Sequence, residues 1–422
     1  MTTNGKARVA VVGGGFAGLE SAFLVRSKLG ARADITLVSD RDTFLFKPNT
    51  IYIPFGRDPS SLLIQLGKPT ARRDIRYVRG AFEELDPDAR RVRAGGQEIA
   101  YDHLVLATGA GMSPEEIPGL PEHAETIWTP EEMLSLRARL RDVVARAKRG
   151  ERQKILFAVP PFNKCAGPLY EIVLMIETWL RRQGVRDRVE LVWTTFEDTY
   201  VQAFGPKLHE VVRAEFSRRG VEGHTALRLS AVEPGVARYE GGEEQSFDLL
   251  VAFPPYVSAV RYEGLPADDR GFLSTEPASR RVQGQERIYA PGDAGDFPVK
   301  QAFLAFLQAD AVADDIAAQT LGRAPETPFD PVSMCVMEEF DKATFAQVPL
   351  VVTGDPAHPV AVRPDADGAY RVGVSPAWRL GKKLLGLYLP YRFNAGQPFH
   401  AGLPWKAMDV GLKGMSAVLA RR

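Results

Sequence analysis

The chain is poor in cysteine, with only Cys165 and Cys335 in 422 residues. So low a count excludes a disulfide framework, and no metal site is expected. It also lacks an excess of either charge: Lys plus Arg and Asp plus Glu are both 53, which leaves no global basic field for nucleic acid. No run of roughly 18 apolar residues occurs, so no segment is expected to span a bilayer. The opening stretch, MTTNGKARVAVVGGG, lacks the basic region, apolar stretch and cleavage site of a secretory signal. The two cysteines therefore read as free thiols, a redox pair or chance. Hydrophobic content of 45% and charged content of 25% are ordinary for a globular protein, and the length calls for two or three domains.

What is present begins with RVAVVGGGFAGLESAFLVRSKL. It reads as a buried strand, a glycine turn and a helix, with Gly13, Gly15 and Gly18 satisfying G-x-G-x-x-G. The first glycine permits the tight turn, the second lets backbone approach a pyrophosphate, and the third lets the helix pack on the strand. Amides at the helix start then face the phosphates. A second strand, DITLVSD, follows at the required distance, with Ser39 in the place of the ribose-binding acid and Asp40 next. Two further segments are YDHLVLATGA, which carries Thr108 and Gly109, and RIYAPGDAGDFPVKQAFLAF, which carries Gly292 and Asp293 before a helix expected to open near Pro298. In this order the three signatures resemble the two-dinucleotide-domain, glutathione-reductase-like flavoproteins. The resemblance implies an α/β fold of two Rossmann-like dinucleotide-binding domains with FAD in the first. Asp293 would bind the ribityl chain, and the following helix would point its positive end at the flavin.

A second nucleotide loop is expected after the strand KILFAVP (154–160). There the chain reads PPFNKCAGP, with two prolines and one late glycine, which cannot form a close backbone cradle for a pyrophosphate. The helix and strand that follow are intact, so binding of a nicotinamide nucleotide is not expected.

Cys165, Gly167, Pro168, Tyr170 and Glu171 in KCAGPLYE resemble sulfide:quinone oxidoreductase and the flavin subunit of flavocytochrome c sulfide dehydrogenase. ITLVSDRDTFLFKPNTIYIPFG, WLRRQGVRDRVELVWTTFED and FPVKQAF agree with that family, whose likeness covers about residues 7–345. It implies that Cys335, in FDPVSMCVMEEF, partners Cys165 in a redox disulfide beside the flavin. Sulfide or another small sulfur species would attack it, and electrons would pass through FAD to a membrane quinone. Glu171 becomes a candidate proton relay and Lys300 a candidate bridge between flavin and quinone. The chain departs from the family at Trp128, where a third cysteine is common, and at Glu132 and Ala203, which stand nearest to family histidines. Covalent attachment of the flavin is not implied, since the loop at 42–56 has no cysteine.

The expected domains are 1–114 with 261–330 for FAD, 115–260 for the second Rossmann-like unit, and 331–422 as a C-terminal membrane-interface region. In that tail SPAWRLGKKLLGLYLPYRF and LPWKAMDVGLKGMSAVLARR interleave apolar and aromatic residues with Arg379, Lys382, Lys383, Arg392, Lys406 and Lys413. That composition suits helices lying in a lipid interface, and also a dimerising or core-covering pair. The expectation is a peripheral membrane protein on the cytoplasmic face, with a homodimer left open. The competing readings are a type II NADH:quinone oxidoreductase, which needs the missing glycine loop, a soluble flavocytochrome partner subunit, and a non-catalytic FAD-binding redox sensor.

Overall fold

The computed structural model describes residues 5–366 and 368–420. Strand β1 (Ala7–Val12) is buried along its inner length, as its run of valine and alanine requires, and helix α1 (Phe16–Leu29) follows directly. β2 (Ala33–Ser39), β3 (Ile75–Arg79) and β4 (His103–Leu106) join β1 in a parallel sheet.

The chain then builds a second parallel sheet. It holds β5 (Glu125–Thr126), β6 (Gln153–Val159), β7 (Val189–Thr195), β8 (Val221–His224) and β9 (Leu249–Ala252), in the order β5-β9-β6-β7-β8. Helix α2 (Pro130–Lys148) starts with a capping box between Thr129 and Glu132, which satisfies amides that would otherwise be orphaned. Helix α3 (Gly167–Gln183) follows β6, and α4 (Gly205–Arg219) follows β7. The apolar side chains of α3 fill the core between this sheet and its neighbours, with Leu169, Ile172, Val173 and Ile176 fully buried. β10 (Ile288–Tyr289) then returns to the first sheet beside β4, completing the order β10-β4-β1-β2-β3.

Each sheet reverses its strand order once, between β1 and β4 in the first and between β6 and β9 in the second. Ligands of open parallel sheets bind in the crevice beyond the strand ends at such reversals. Gly13 and Gly109 stand at the first, and the loop carrying Cys165 stands at the second.

Helix α5 (Ala302–Leu321) packs along α1. It opens four residues later than the sequence suggested: Pro298 and Lys300 lie in the approach, and Gln301 keeps extended backbone as its N-cap. The tail also holds an element the sequence reading did not anticipate. β11 (Val332–Glu338), β12 (Ala343–Val352), β13 (Val360–Val362) and β14 (Arg371–Ser375) form an antiparallel sheet around β12. The Arg219 side chain ties this sheet to the second unit. It donates to Glu177 (2.7 Å) and Thr178 (2.8 Å) of α3, and to Glu339 (2.7 Å) and Asp341 (2.9 Å) beyond β11. Helices α6 (Pro376–Asn394) and α7 (Gly402–Leu419) close the described chain. Among the described residues no helix is long and apolar enough to cross a membrane.

Candidate functional site

The glycine turn after β1 is shaped by contact rather than by propensity. Gly13 has φ +116°, and a Cβ there would lie 2.2 Å from the carbonyl oxygen of Ala107. A Cβ on Gly18 would lie 1.8 Å from the carbonyl oxygen of Gly13, so the third glycine lets α1 close onto the turn. Gly15 differs: nothing lies within 4 Å of its added Cβ. Gly109, φ +80°, likewise faces open space, while the Thr108 hydroxyl lies 2.8 Å from that of Tyr262. Ser39, buried at the end of β2, accepts from the amide of Arg41, and Asp40 is exposed beside Arg41.

On the far side of this crevice Gly292 takes φ +73° and donates its amide to Gln308 of α5 at 2.9 Å. The carboxylate of Asp293 accepts no hydrogen bond from the described residues. Burial pushes it up, against the pull of Lys300 and Lys47. A desolvated carboxylate without a hydrogen-bond donor is unusual, and it fits a hydroxylated ligand chain. Together with the open faces at Gly15 and Gly109, this donor set fits a flavin dinucleotide.

The second reversal is occupied by the loop Pro160–Ala166. Asn163 fastens it, donating to the carbonyls of Phe253 (2.9 Å) and Pro254 (3.2 Å) and accepting from the Cys165 amide (3.0 Å). Cys165 thus sits just before the first turn of α3, and Cys335 sits in mid-strand on β11. Two adjacent residues join the cysteine segments. The Lys300 amide donates to Lys164 O at 3.3 Å, while the Gln301 side chain donates to Met334 O (3.2 Å) and accepts from Ser333 (2.9 Å). The thiols are free, and close enough that Cys335 contributes to the shift at Cys165. Desolvation raises both, Cys335 to about 12 and Cys165 further.

Glu171, in the second turn of α3, is buried and accepts from the amide of Glu338 at 3.0 Å and from the ammonium of Lys382. Desolvation raises its pKa, while Lys382 draws it down. The same ammonium donates to Val336 O at 2.8 Å, one residue past Cys335. Glu338 is completed by Arg379 and by the Tyr52 hydroxyl, each at 2.7 Å. Lys300 is 3% exposed, so it is no surface lysine. Its amine lies 3.9 Å from the Phe272 ring centroid and donates to Gly295 O, and burial pushes its pKa down to about 7.

This corrects one expectation about the tail. Arg379, Lys382 and Arg392 point inward, the last onto the carbonyls of Pro398 and Ala401, and cannot serve lipid headgroups. Lys382, Tyr52, Glu338, Lys47 and Lys164 were missed as site residues. They lie within stretches quoted above, but their neighbours come from other parts of the chain, which local sequence does not reveal. Trp128 packs against Phe253 and Tyr256, Glu132 is engaged in capping, and Ala203 lies in a short turn between Gln202 and Phe204.

A sequence profile of pyridine nucleotide-disulphide oxidoreductases matches residues 7–150. The sulfide-quinone reductase of Aquifex aeolicus is 30% identical over 280 residues, covering 65% of this chain and 63% of that protein, so the match spans less than two thirds of it. The mitochondrial sulfide:quinone oxidoreductase of Mus musculus is 23% identical over 72% of this chain and 69% of its own. A demethylphylloquinone reductase of Synechocystis is 25% identical over 97% of this chain and 98% of its own. The crystal structure of the Aquifex aeolicus sulfide:quinone oxidoreductase superposes with a TM-score of 0.83 at 21% identity, covering 96% of both chains. With the paired parallel sheets and their reversals, these likenesses define a fold of the two-dinucleotide-domain flavoprotein class. Within that class, the likenesses run to sulfide:quinone oxidoreductases and to another quinone-reducing enzyme.

Proposed function

We propose that the protein is an FAD-dependent sulfide:quinone oxidoreductase working through a disulfide between Cys165 and Cys335. The observation that carries this reading is the joining of the two cysteine segments, far apart in sequence, by hydrogen bonds of Lys300 and Gln301 beside Asp293. Gly13, Gly15, Gly18, Ser39, Asp40, Thr108, Gly109, Gly292, Asp293 and Lys300 would hold FAD.

Hydrosulfide is a good nucleophile near neutral pH, and a disulfide sulfur is a good leaving group. Attack forms a new sulfur–sulfur bond to one cysteine, breaks the disulfide and releases the other cysteine as a thiolate. Closing the disulfide again frees the bound sulfur at the zero-valent level. In balance, one hydrosulfide yields one sulfur atom, one proton and two electrons. FAD, when bound, supplies the two-electron acceptor that hands these electrons to a quinone. Glu171, raised by burial and paired with Lys382, would move the proton beside Cys335. Lys300, a buried cation where negative charge develops, favours the reduced acceptor.

The quinone dissolves in lipid, and the outer face of α6 suits such a surface. Leu380, Leu384, Leu387 and Tyr391 are all exposed and recur on one side of the helix; Leu403, Val410 and Val418 are exposed on α7. The reading is therefore a peripheral membrane protein. The second loop, with no glycine from Pro160 to Ala166, speaks against the NADH-oxidising alternative. The test is anaerobic: sulfide should bleach the bound flavin and a quinone should restore its colour, while NADH leaves it yellow. Rapid bleaching by NADH and none by sulfide would sink the proposal.

A further inference from the structure

Lys47 carries no role in the chemistry above, yet its amine lies 2.9 Å from the ring centroid of Trp128. The platform beneath it is fixed. Trp128 meets Tyr256 edge-on at 5.6 Å and Phe253 at 6.1 Å, and the Glu132 carboxylate holds the amides of Trp128 and Thr129. No hydrogen bond to the Lys47 amine occurs among the described residues. The charged groups facing it are Asp293 before α5, Arg41 after β2 and Glu132 on α2.

Arg41 repels the amine, and Glu132, the weakest of the three influences, already accepts from the amides of Trp128 and Thr129. Asp293 is left, and it is shared with Lys300. Two amines thus share Asp293 across the crevice in a desolvated place. Burial pushes both amines down to about 7, the expected consequence. An indole face attracts an ammonium through its quadrupole but carries no net charge. Trp128 therefore holds the cation without cancelling it, and its charge stays available to an anion in the crevice.

We infer that Lys47, seated on Trp128, is a positioning residue for the flavin that stabilises its reduced, anionic form. The inference rests on the reading that FAD occupies the Asp293 crevice, but not on sulfide being the donor. Reduction by two electrons with uptake of one proton adds one negative charge to the flavin, and a nearby ammonium favours that state over the neutral oxidised one. Removing the charge should lower the reduced-to-oxidised preference about tenfold, which is about 30 mV for a two-electron couple.

The experiment is an anaerobic redox titration of the flavin-loaded protein with indicator dyes, between pH 6 and pH 9. Lys47→Met should shift the midpoint downward at pH 6, and the gap to wild type should close as the pH rises and the wild-type amine loses its proton. Lys47→Arg keeps its charge throughout, so its midpoint should match wild type at pH 6 and exceed it at pH 9. Trp128→Leu should lower the midpoint by weakening the ammonium's seat. Midpoints of Lys47→Met and Lys47→Arg equal to wild type at every pH overturn the inference; should Lys47→Met not retain flavin, Lys47→Arg at pH 9 decides alone. A wild-type protein that binds no flavin instead overturns the reading beneath it.

Discussion

The ammonium of Lys382, on α6, reaches across to the buried carboxylate of Glu171 on α3, and donates to Val336 O at 2.8 Å. A helix whose outer face is apolar and exposed thereby inserts a charge next to the strand that carries Cys335. Removing one partner of a buried pair leaves an uncompensated charge and costs about 3–5 kcal/mol. Lys382→Met should lose that much in denaturant unfolding, or leave Glu171 protonated. Adding Glu171→Gln should recover most of the loss. A single variant as stable as wild type, with the pH dependence of its stability unchanged, would show that the pair matters little.

The thiols give a prediction with a sign. Burial raises Cys335 from 9.0 to about 12 and raises Cys165 as well, so the folded dithiol protein favours neutral sulfur. The stability this contributes is complete below about pH 9 and is lost as the pH climbs through the folded values. Dithiol protein should lose stability in that alkaline window, and Cys165→Ser with Cys335→Ser should lose less. Each single serine variant should keep its flavin yet fail to bleach with sulfide; normal bleaching by either would refute the disulfide chemistry.

Three glycines of one motif should respond differently to alanine. At Gly13 and Gly18 the new methyl meets backbone at 2.2 and 1.8 Å, so folding itself should suffer, by more than about 2 kcal/mol. At Gly15 the methyl meets only open space, so the flavin-free protein should melt as wild type does while its affinity for FAD falls at least tenfold. Calorimetry of flavin-free protein with a fluorescence titration of FAD separates the two cases. Unaltered FAD affinity in Gly15→Ala would place the pyrophosphate elsewhere.

With Arg379, Lys382 and Arg392 turned inward, attachment to lipid should depend more on apolar contact than on charge. Leu384→Asp with Leu387→Asp should release the protein from vesicles while the flavin stays bound. Raising the salt should do little, since screening acts on exposed charges. Binding that survives the double substitution, or that salt alone abolishes, would move the contact to another surface.

The class of fold was legible because its signals are local. A buried strand, a glycine turn and a helix need only about thirty consecutive residues to declare themselves, and Gly13, Gly15 and Gly18 do so by steric necessity. The missing glycines after Val159 were equally plain. The surroundings of each charge were not. Periodicity made Arg379, Lys382 and Arg392 resemble a lipid-facing basic edge, because a helical pattern shows which residues share a side and not what that side meets. Lys47 lies in a family-like stretch, yet its neighbours Trp128 and Asp293 come from separate parts of the chain. The sequence by itself determined the paired parallel sheets and the residue types available for chemistry. Only tertiary packing decided which buried charges would face one another, since desolvation and Coulomb energy depend on distances in space that separation along the chain does not reveal.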